Sequence, residues 1–410
     1  MTSKPDHLER TAAEPRDKSL YTVILQHIEQ VNDTTRIFRL GIPRDSPPIR
    51  FLPGQWLDVY VPGVEKAGGF TITSTPREAR LAHPPAGPED AGERRRREKL
   101  EREREKEKAA QGKEGPYLEL AVQKSPDNPP AAWLWQDAGP SPTVVVDDDD
   151  GASRSIFSSP IIGSELHVRV GGGFVWPPPG INARALRRVV FVAGGVGVNP
   201  LVSMLGFLAS SSSSPAPTSL TTPQPAAPGG DLEVRFLYST RDPGAAREGG
   251  SGGAEMRRNA RGMLFLERIA RVFRQGRVKG RLEVFLTGGG GAGTADGEGG
   301  EKKKKGEGAR TSVDGDGDGD GDNGILVGGG DAGNGGRGDE GEAGFTIPFH
   351  PRRCTVEDDV AAAVGNPRFA VVYVCGVPAM TDEFVAKLTR REDEDGLGME
   401  PYRVLCEKWW

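Results

Sequence analysis

The sequence predicts two domains: a small antiparallel β-barrel, then an α/β doubly wound domain on a parallel sheet, with long disordered insertions in both. Three observations predict it. Between Leu20 and Val170, short apolar runs of strand composition recur at close spacing with Pro and Gly between them, the pattern of a barrel. After Arg188 such runs alternate with helical patterns, as in a parallel sheet whose crossovers are helices. Val189–Ala193 also passes through Gly194-Gly195-Val196-Gly197 into a helical pattern after Pro200, a strand, glycine turn and helix start.

Composition narrows the classes. A chain of 410 residues has room for two or three domains, but its 58 glycines and 33 prolines crowd into a few biased stretches. Net charge is −5, from 53 basic and 58 acidic residues, so nothing global favours nucleic acid or an anionic membrane. The three cysteines, Cys354, Cys375 and Cys406, form no CxxC pair, and an odd number fits a reducing compartment. Five scattered histidines show no metal-ligand spacing. Met1–Ser19 has neither an apolar signal core nor an acid-free Arg/Ser-rich pattern, so an intracellular protein without a clear targeting signal is expected. The apolar run Val189–Leu208 is long enough to suggest a membrane span, but four glycines and Asn199-Pro200 interrupt it.

Taken in order, residues 1–19 are polar and predicted to be a disordered tail. Domain one is predicted at 20–180. Its strands include Tyr21–Leu25, Thr35–Leu40, Trp56–Val61, a start at Gly68-Gly69-Phe70-Thr71, Tyr117–Val122 and Glu165–Val170. An insertion at 79–115 holds the run Glu93–Lys108, whose mixed charges at helical spacing suit a solvated helix, or a helix for a partner protein. Pro177-Pro178-Pro179 can continue neither ladder nor helix, so Gly171–Gly180 is predicted to be a hinge. Domain two, 186–410, has strands Val189–Ala193, Glu233–Tyr238, Leu282–Leu286 and Ala370–Cys375. Its helices follow Pro200, cover Met263–Phe273 and follow Met380. Low-complexity insertions are expected at 210–230 and 287–344. Within the second, Asp314, Asp316, Asp318 and Gly319 mimic the start of a calcium loop. Ile325, or Val327 in the next register, stands where the bidentate glutamate belongs, so disorder is the reading.

The glycine turn at the head of a helix can cradle a pyrophosphate on its backbone amides, and Pro200 suits the first turn because its missing N–H needs no partner there. At the end of the next strand stand Ser239-Thr240-Arg241. An acid there would bind a ribose 2′-hydroxyl, whereas Ser239 and Arg241 can hold a 2′-phosphate; Arg241 can equally be a solvated loop residue. Cys375-Gly376 and Met380 fall where a strand hands over to a helix, on the ligand-facing edge of such a sheet.

With a barrel in front, the chain resembles the ferredoxin–NADP reductase-like flavoproteins. It is most similar to the oxidoreductase NAD-binding domain-containing proteins among them. The resemblance rests on Val192–Leu201, Val374–Met380 and the terminal Cys406-Glu407-Lys408-Trp409-Trp410. It implies an FAD-binding FR-type barrel and an NAD(P)-binding domain, hence two cofactors, NAD (or NADP) and FAD. Gly194, Gly195, Val196, Gly197, Val198, Asn199 and Pro200 would then form the pyrophosphate turn. Phe70 would flank the flavin and Thr71 would hydrogen-bond near flavin N5. The arginine that neutralises the flavin phosphate in the family is Gly68 here. A second phosphate contact would come from Ala131 to Trp133 at a helix start. Cys375 would lie beside the nicotinamide C4, Glu407 would handle protons, and Trp409 or Trp410 would stack on the flavin. The plainer alternatives are strand packing for Phe70 and Thr71, core packing for Trp133 and Trp135, a buried thiol for Cys375 and a terminal charge for Glu407. The implied activity is an NAD(P)H-dependent flavin oxidoreductase passing hydride from nicotinamide C4 to flavin N5, and electrons to an unidentified external acceptor. No plant-type iron–sulfur spacing is present. A non-catalytic nucleotide-binding or scaffold protein that has lost flavin is the alternative. A mitochondrial location is implied by resemblance only.

Overall fold

The structure, a computed structural model, describes residues 6–80, 115–136, 144–147, 153–156, 159–211, 231–244, 246–247, 256–288, 324–328, 344–391 and 396–408. The charged run Glu93–Lys108, the Gly-Asp repeat, Trp409 and Trp410 lie outside them.

The first sheet comprises β1 (Tyr21–Asn32), β2 (Thr35–Gly41), β3 (Trp56–Tyr60), β4 (Gly68–Thr71), β5 (Tyr117–Gln123) and, beyond a β6–β7 hairpin (Val144–Asp147 and Ser153–Ile156), β8 (Glu165–Gly171). Period-two burial puts Tyr21, Val23 and Leu25 inside. A bulge between Leu25 and His27 then shifts the phase so that Ile28 is the next inward residue. All pairings are antiparallel, in the order β4-β3-β8-β1-β2-β5. An Ile72–Leu120 bridge and the bond from Thr73 N to Glu119 O (2.8 Å) join the two edge strands, closing the barrel.

The tail expectation is corrected for residues 6–19. The short helix α1 (His7–Arg10) and the chain after it are fastened to the barrel through Asp58, which is fully buried. Asp58 accepts from His7 Nε2 (2.8 Å), Arg16 Nε (3.1 Å) and Arg169 Nε (2.8 Å). Burial alone would raise its pKa, but these donors hold it below the ordinary value. The hinge expectation is corrected as well. Phe174 and the fully buried Trp176 pack on Tyr373 of the second sheet, whose hydroxyl donates to Val175 O (2.8 Å). The aromatics just ahead of the three prolines anchor the linker.

The second sheet is centred on β9 (Arg188–Gly194), with β10 (Glu233–Arg241), β11 (Ala246–Arg247), β12 (Met256–Asn259), β13 (Lys279–Thr287), β14 (Gly324–Val327), β15 (Phe345–His350), β16 (Ala370–Gly376) and β17 (Val404–Lys408). Its central part, β13-β10-β9-β16-β17, is parallel throughout. Val189–Ala193 and all of β16 are buried because both faces are covered. On one face, after α2 (Pro129–Leu134) of the barrel, lie α3 (Val198–Ser211) and α4 (Leu266–Arg274); on the other lie α5 (Ala361–Val364) and α6 (Pro378–Thr389). The fold is therefore a barrel followed by a doubly wound α/β sheet. The strands β11, β12, β15 and β17, and the β6–β7 hairpin before them, escape the sequence reading. So does β14, which lies inside the expected low-complexity stretch 287–344: Ile325 and Val327 are fully buried, and the strand pairs with β12 and β15.

The two sheets are clipped together. Asn199 Nδ2 donates to Ala121 O (3.0 Å) and Ser203 Oγ to Ser74 O (2.7 Å), both in buried surroundings. Arg268 of α4 makes two parallel bonds to the buried Glu119 of β5 (2.8 and 2.9 Å). Thr73 Oγ1 also donates to Glu119 (2.8 Å). Burial would raise the Glu119 pKa, but Arg268, Thr73 and Arg39 hold it below the ordinary range, so it is an ion at neutral pH.

Candidate functional site

In the central sheet the chain winds outward from β9 in both directions, so its C-terminal edge splits between Gly194 and Gly376. Open α/β sheets bind ligands at such a switch point. A cleft of about 980 Å³ lies there, walled on the far side by β4 and the end of β5 of the barrel.

The glycine turn forms one wall. Gly195–Gly197 is a single 3₁₀ turn leading into α3, with Pro200 in the first helical turn. Gly195 has φ +54°, a region glycine enters without strain. A Cβ on Gly197 would stand 2.2 Å from Cys375 O and 2.7 Å from Gly376 N, so the helix start is pressed against β16. Gly194 and Gly376 both lie under the Met380 sulfur, which fixes the floor of the turn.

The barrel wall carries Gly69, Phe70 and Thr71. Thr71 is 1% exposed, and its hydroxyl has no hydrogen-bond partner among the described residues. A buried orphan hydroxyl costs about 1–3 kcal/mol, so a ligand group that accepts from it or donates to it is favoured at this position. Phe70 lines the cleft while its ring packs into the barrel core.

The structure brings together on the cleft surface Phe70, Thr71, Ala131, Gly194, Gly195, Val196, Asn199, Ser239, Arg241, Gly376 and Met380. Other expected residues sit elsewhere. Gly197, Val198 and Pro200 are buried behind the turn. Asn199 spends its amide on Ala121, so it acts first as a clip between sheets, although its Oδ1 has no partner among the described residues. Trp133 packs, partly buried, against the barrel core. The Ala131 amide is taken up by the Asn128 side chain (3.4 Å) and the Ala132 amide by Asn128 O (2.8 Å), which leaves the helix start little capacity for phosphate. The Cys375 side chain is fully buried in the core cluster that holds Tyr373, Val198 and Ala193, the plainer alternative of a buried thiol. Glu407 lies in register with Cys375 across the β16–β17 pair, on the same face of the sheet. Its Oε2 is buried without a hydrogen-bond partner among the described residues, and burial, reinforced by Glu14, pushes its pKa up to about 8.

Residues absent from the sequence reading complete the electrostatics. Lys124, Arg353 and Lys387 join Arg241 as cations lining the cleft, against Glu357 and Glu383. Lys387 is held by both glutamates (2.8 and 2.7 Å). Lys124, Arg241 and Arg353 are exposed and have no ion pair among the described residues. A cleft lined by unpaired cations around a glycine turn suits a ligand carrying several phosphate charges. Among the described residues no cluster of three His, Cys, Asp or Glu could hold a metal, and no helix is long and apolar enough to cross a membrane.

No family model matches the chain. It is similar to oxidoreductase NAD-binding domain-containing protein 1 of Danio rerio, 30% identical over 207 residues, which cover 50% of this chain and 54% of the relative. For the Xenopus tropicalis protein of that name the figures are 32% over 200 residues, 49% and 45%. The chain thus spans about half the length of the curated relatives it matches, and these carry the name its motifs resemble. Among solved structures, it is similar to the flavohemoglobin of Malassezia yamatoensis with bound FAD and heme (TM-score 0.48, 11% identity, 98% of this chain and 62% of that one). It is also similar to an Amycolatopsis cytochrome P450 reductase (TM-score 0.47, 16% identity, 96% and 70%).

Proposed function

We propose that this chain is an NAD(P)H-dependent flavin oxidoreductase whose two cofactors share the cleft between barrel and sheet. One observation carries the reading: the orphaned, buried hydroxyl of Thr71 and residues Gly194, Gly195 and Val196 of the pyrophosphate-type turn line the same cavity. A flavin and a nicotinamide dinucleotide bound there would supply two-electron transfer between their rings. The chain's own part is to bind, orient and shield. Amides of the turn and the start of α3 would hold the pyrophosphate, and their packing on β16 fixes where that phosphate sits. Thr71 would orient the flavin edge by one hydrogen bond. Ser239 and Arg241 would meet the adenosine ribose, with Arg241 free to take a 2′-phosphate. Glu407 would keep a proton on its carboxyl at neutral pH, beside Cys375.

The missing base at Gly68 supports a second reading, a nucleotide-binding protein that has lost flavin. Purified protein separates the two. Retained or rebound flavin that is reduced by NADPH or NADH supports the enzyme. A colourless protein whose intrinsic fluorescence responds to dinucleotide but never to flavin supports the second.

A further inference from the structure

Any flavin nucleotide carries phosphate, and the strand expected to meet it offers no base. The gap cannot be filled in place: a Cβ at Gly68 would stand 2.5 Å from the Phe70 ring and 2.8 Å from Pro130. Phe70 and Pro130 occupy the path an arginine would take. Several barrel bases near this strand are committed. Arg16 and Arg169 are tied to Asp58 (3.1 and 2.7 Å), and His7 covers Gly69. Arg36 stacks on Trp135 (4.2 Å) and bonds to Gln30 (2.7 Å), and Arg39 faces Glu119 (3.7 Å).

Among the described residues that line the cleft, one base comes from the barrel. Lys124 follows β5 and lines the cleft with Gly69, Phe70, Thr71, Ser125 and Asn128. Its backbone is pinned by a bond from its N–H to Thr34 O (2.8 Å), while its ammonium rests 5.5 Å from the Trp135 ring with no ion pair among the described residues. The other cleft cations, Arg241, Arg353 and Lys387, belong to the α/β sheet and its connections. We infer that Lys124 neutralises the phosphate of a flavin nucleotide, standing in from the end of β5 for the base that Gly68 cannot be.

This inference rests on the flavin reading above, and its test keeps the two apart. Wild-type protein, Lys124→Gln and Lys124→Arg are each titrated, without dinucleotide, with riboflavin, FMN and FAD, following quenching of flavin fluorescence. Lys124 is exposed, so the variants should fold; matching thermal unfolding confirms it. The expected result is that Lys124→Gln weakens FMN and FAD by roughly tenfold or more, the loss of one charge-assisted contact, with riboflavin unchanged and Lys124→Arg restoring most of the affinity. Raised salt should shrink the wild-type advantage. Equal FMN and FAD affinity in wild type and Lys124→Gln overturns the inference while leaving the flavin site standing. So does an equal loss for riboflavin, which would make Lys124 a shaper of the cleft and not a phosphate ligand. Wild-type protein that binds none of the three overturns the flavin reading itself.

Discussion

The two walls of the cleft are built on opposite principles. The wall on the α/β sheet uses backbone: glycines with no side chain, one at positive φ and one pressed against β16, followed by a helix start. The barrel wall offers side chains: the Thr71 hydroxyl on a strand and the Lys124 ammonium on a loop. A backbone site can be replaced only by the same glycines in the same order, whereas a side-chain charge can move to any position that reaches the same point. One wall is therefore written as a motif, and the other is not.

Four substitutions probe that contrast, beginning with the clip that sets one wall against the other. Arg268→Ala strands the buried Glu119 with only Thr73 and Arg39, and should cost on the order of 2–3 kcal/mol in urea unfolding. A change below about 0.5 kcal/mol would mean the walls are aligned by other contacts. Gly197→Ala forces a methyl into the β16 backbone and should cost about 2 kcal/mol with loss of dinucleotide binding, read by calorimetry. Unaltered binding would show that the turn is not the pyrophosphate site. Glu407→Gln has a pH signature. In the folded protein this carboxyl ionises at about 8, against an ordinary value of 4.5, so the native state holds a proton the unfolded chain has lost between those values. Wild type should therefore lose stability relative to the variant as pH rises from about 5 to 8, and the difference should level off above that. A difference constant with pH would contradict the buried, neutral carboxyl. Thr71→Val is the smallest effect and the most selective. The flavin-free protein should be as stable as wild type or up to about 1 kcal/mol more so, because an orphan hydroxyl is removed, while flavin affinity falls about fivefold. A destabilised variant would place the hydroxyl in a structural bond.

The same contrast explains what the sequence made legible. The sheet core and its order followed from apolar runs such as Val189–Ala193 and Ala370–Cys375, where burial on both faces removes polar residues from the strand. Eleven of the expected site residues do line the cleft, and most of these lie on or beside glycine turns. Side chains whose roles depend on tertiary partners were not readable. Glu119 occupies the outward phase of an alternating strand and reads as solvent-facing, until α4 brings Arg268 over it. Lys124 has no local signature, since its role follows from the crowding at Gly68 across the barrel. Residues 6–19 look like a polar tail because their anchor is Asp58, some forty residues on. β14 was hidden by its surroundings: four residues between glycine-rich flanks carry too little pattern to register, yet Ile325 and Val327 complete a core.

The most direct test is anaerobic stopped-flow absorbance of the 410-residue chain loaded with FAD and mixed with NADPH or NADH. If both cofactors meet in the cleft between Thr71 and Gly194–Gly197, the visible flavin band should bleach in a phase whose rate saturates with dinucleotide. Gly197→Ala should abolish the saturable phase. A flavin band that persists at saturating concentrations of both dinucleotides would contradict a shared cleft.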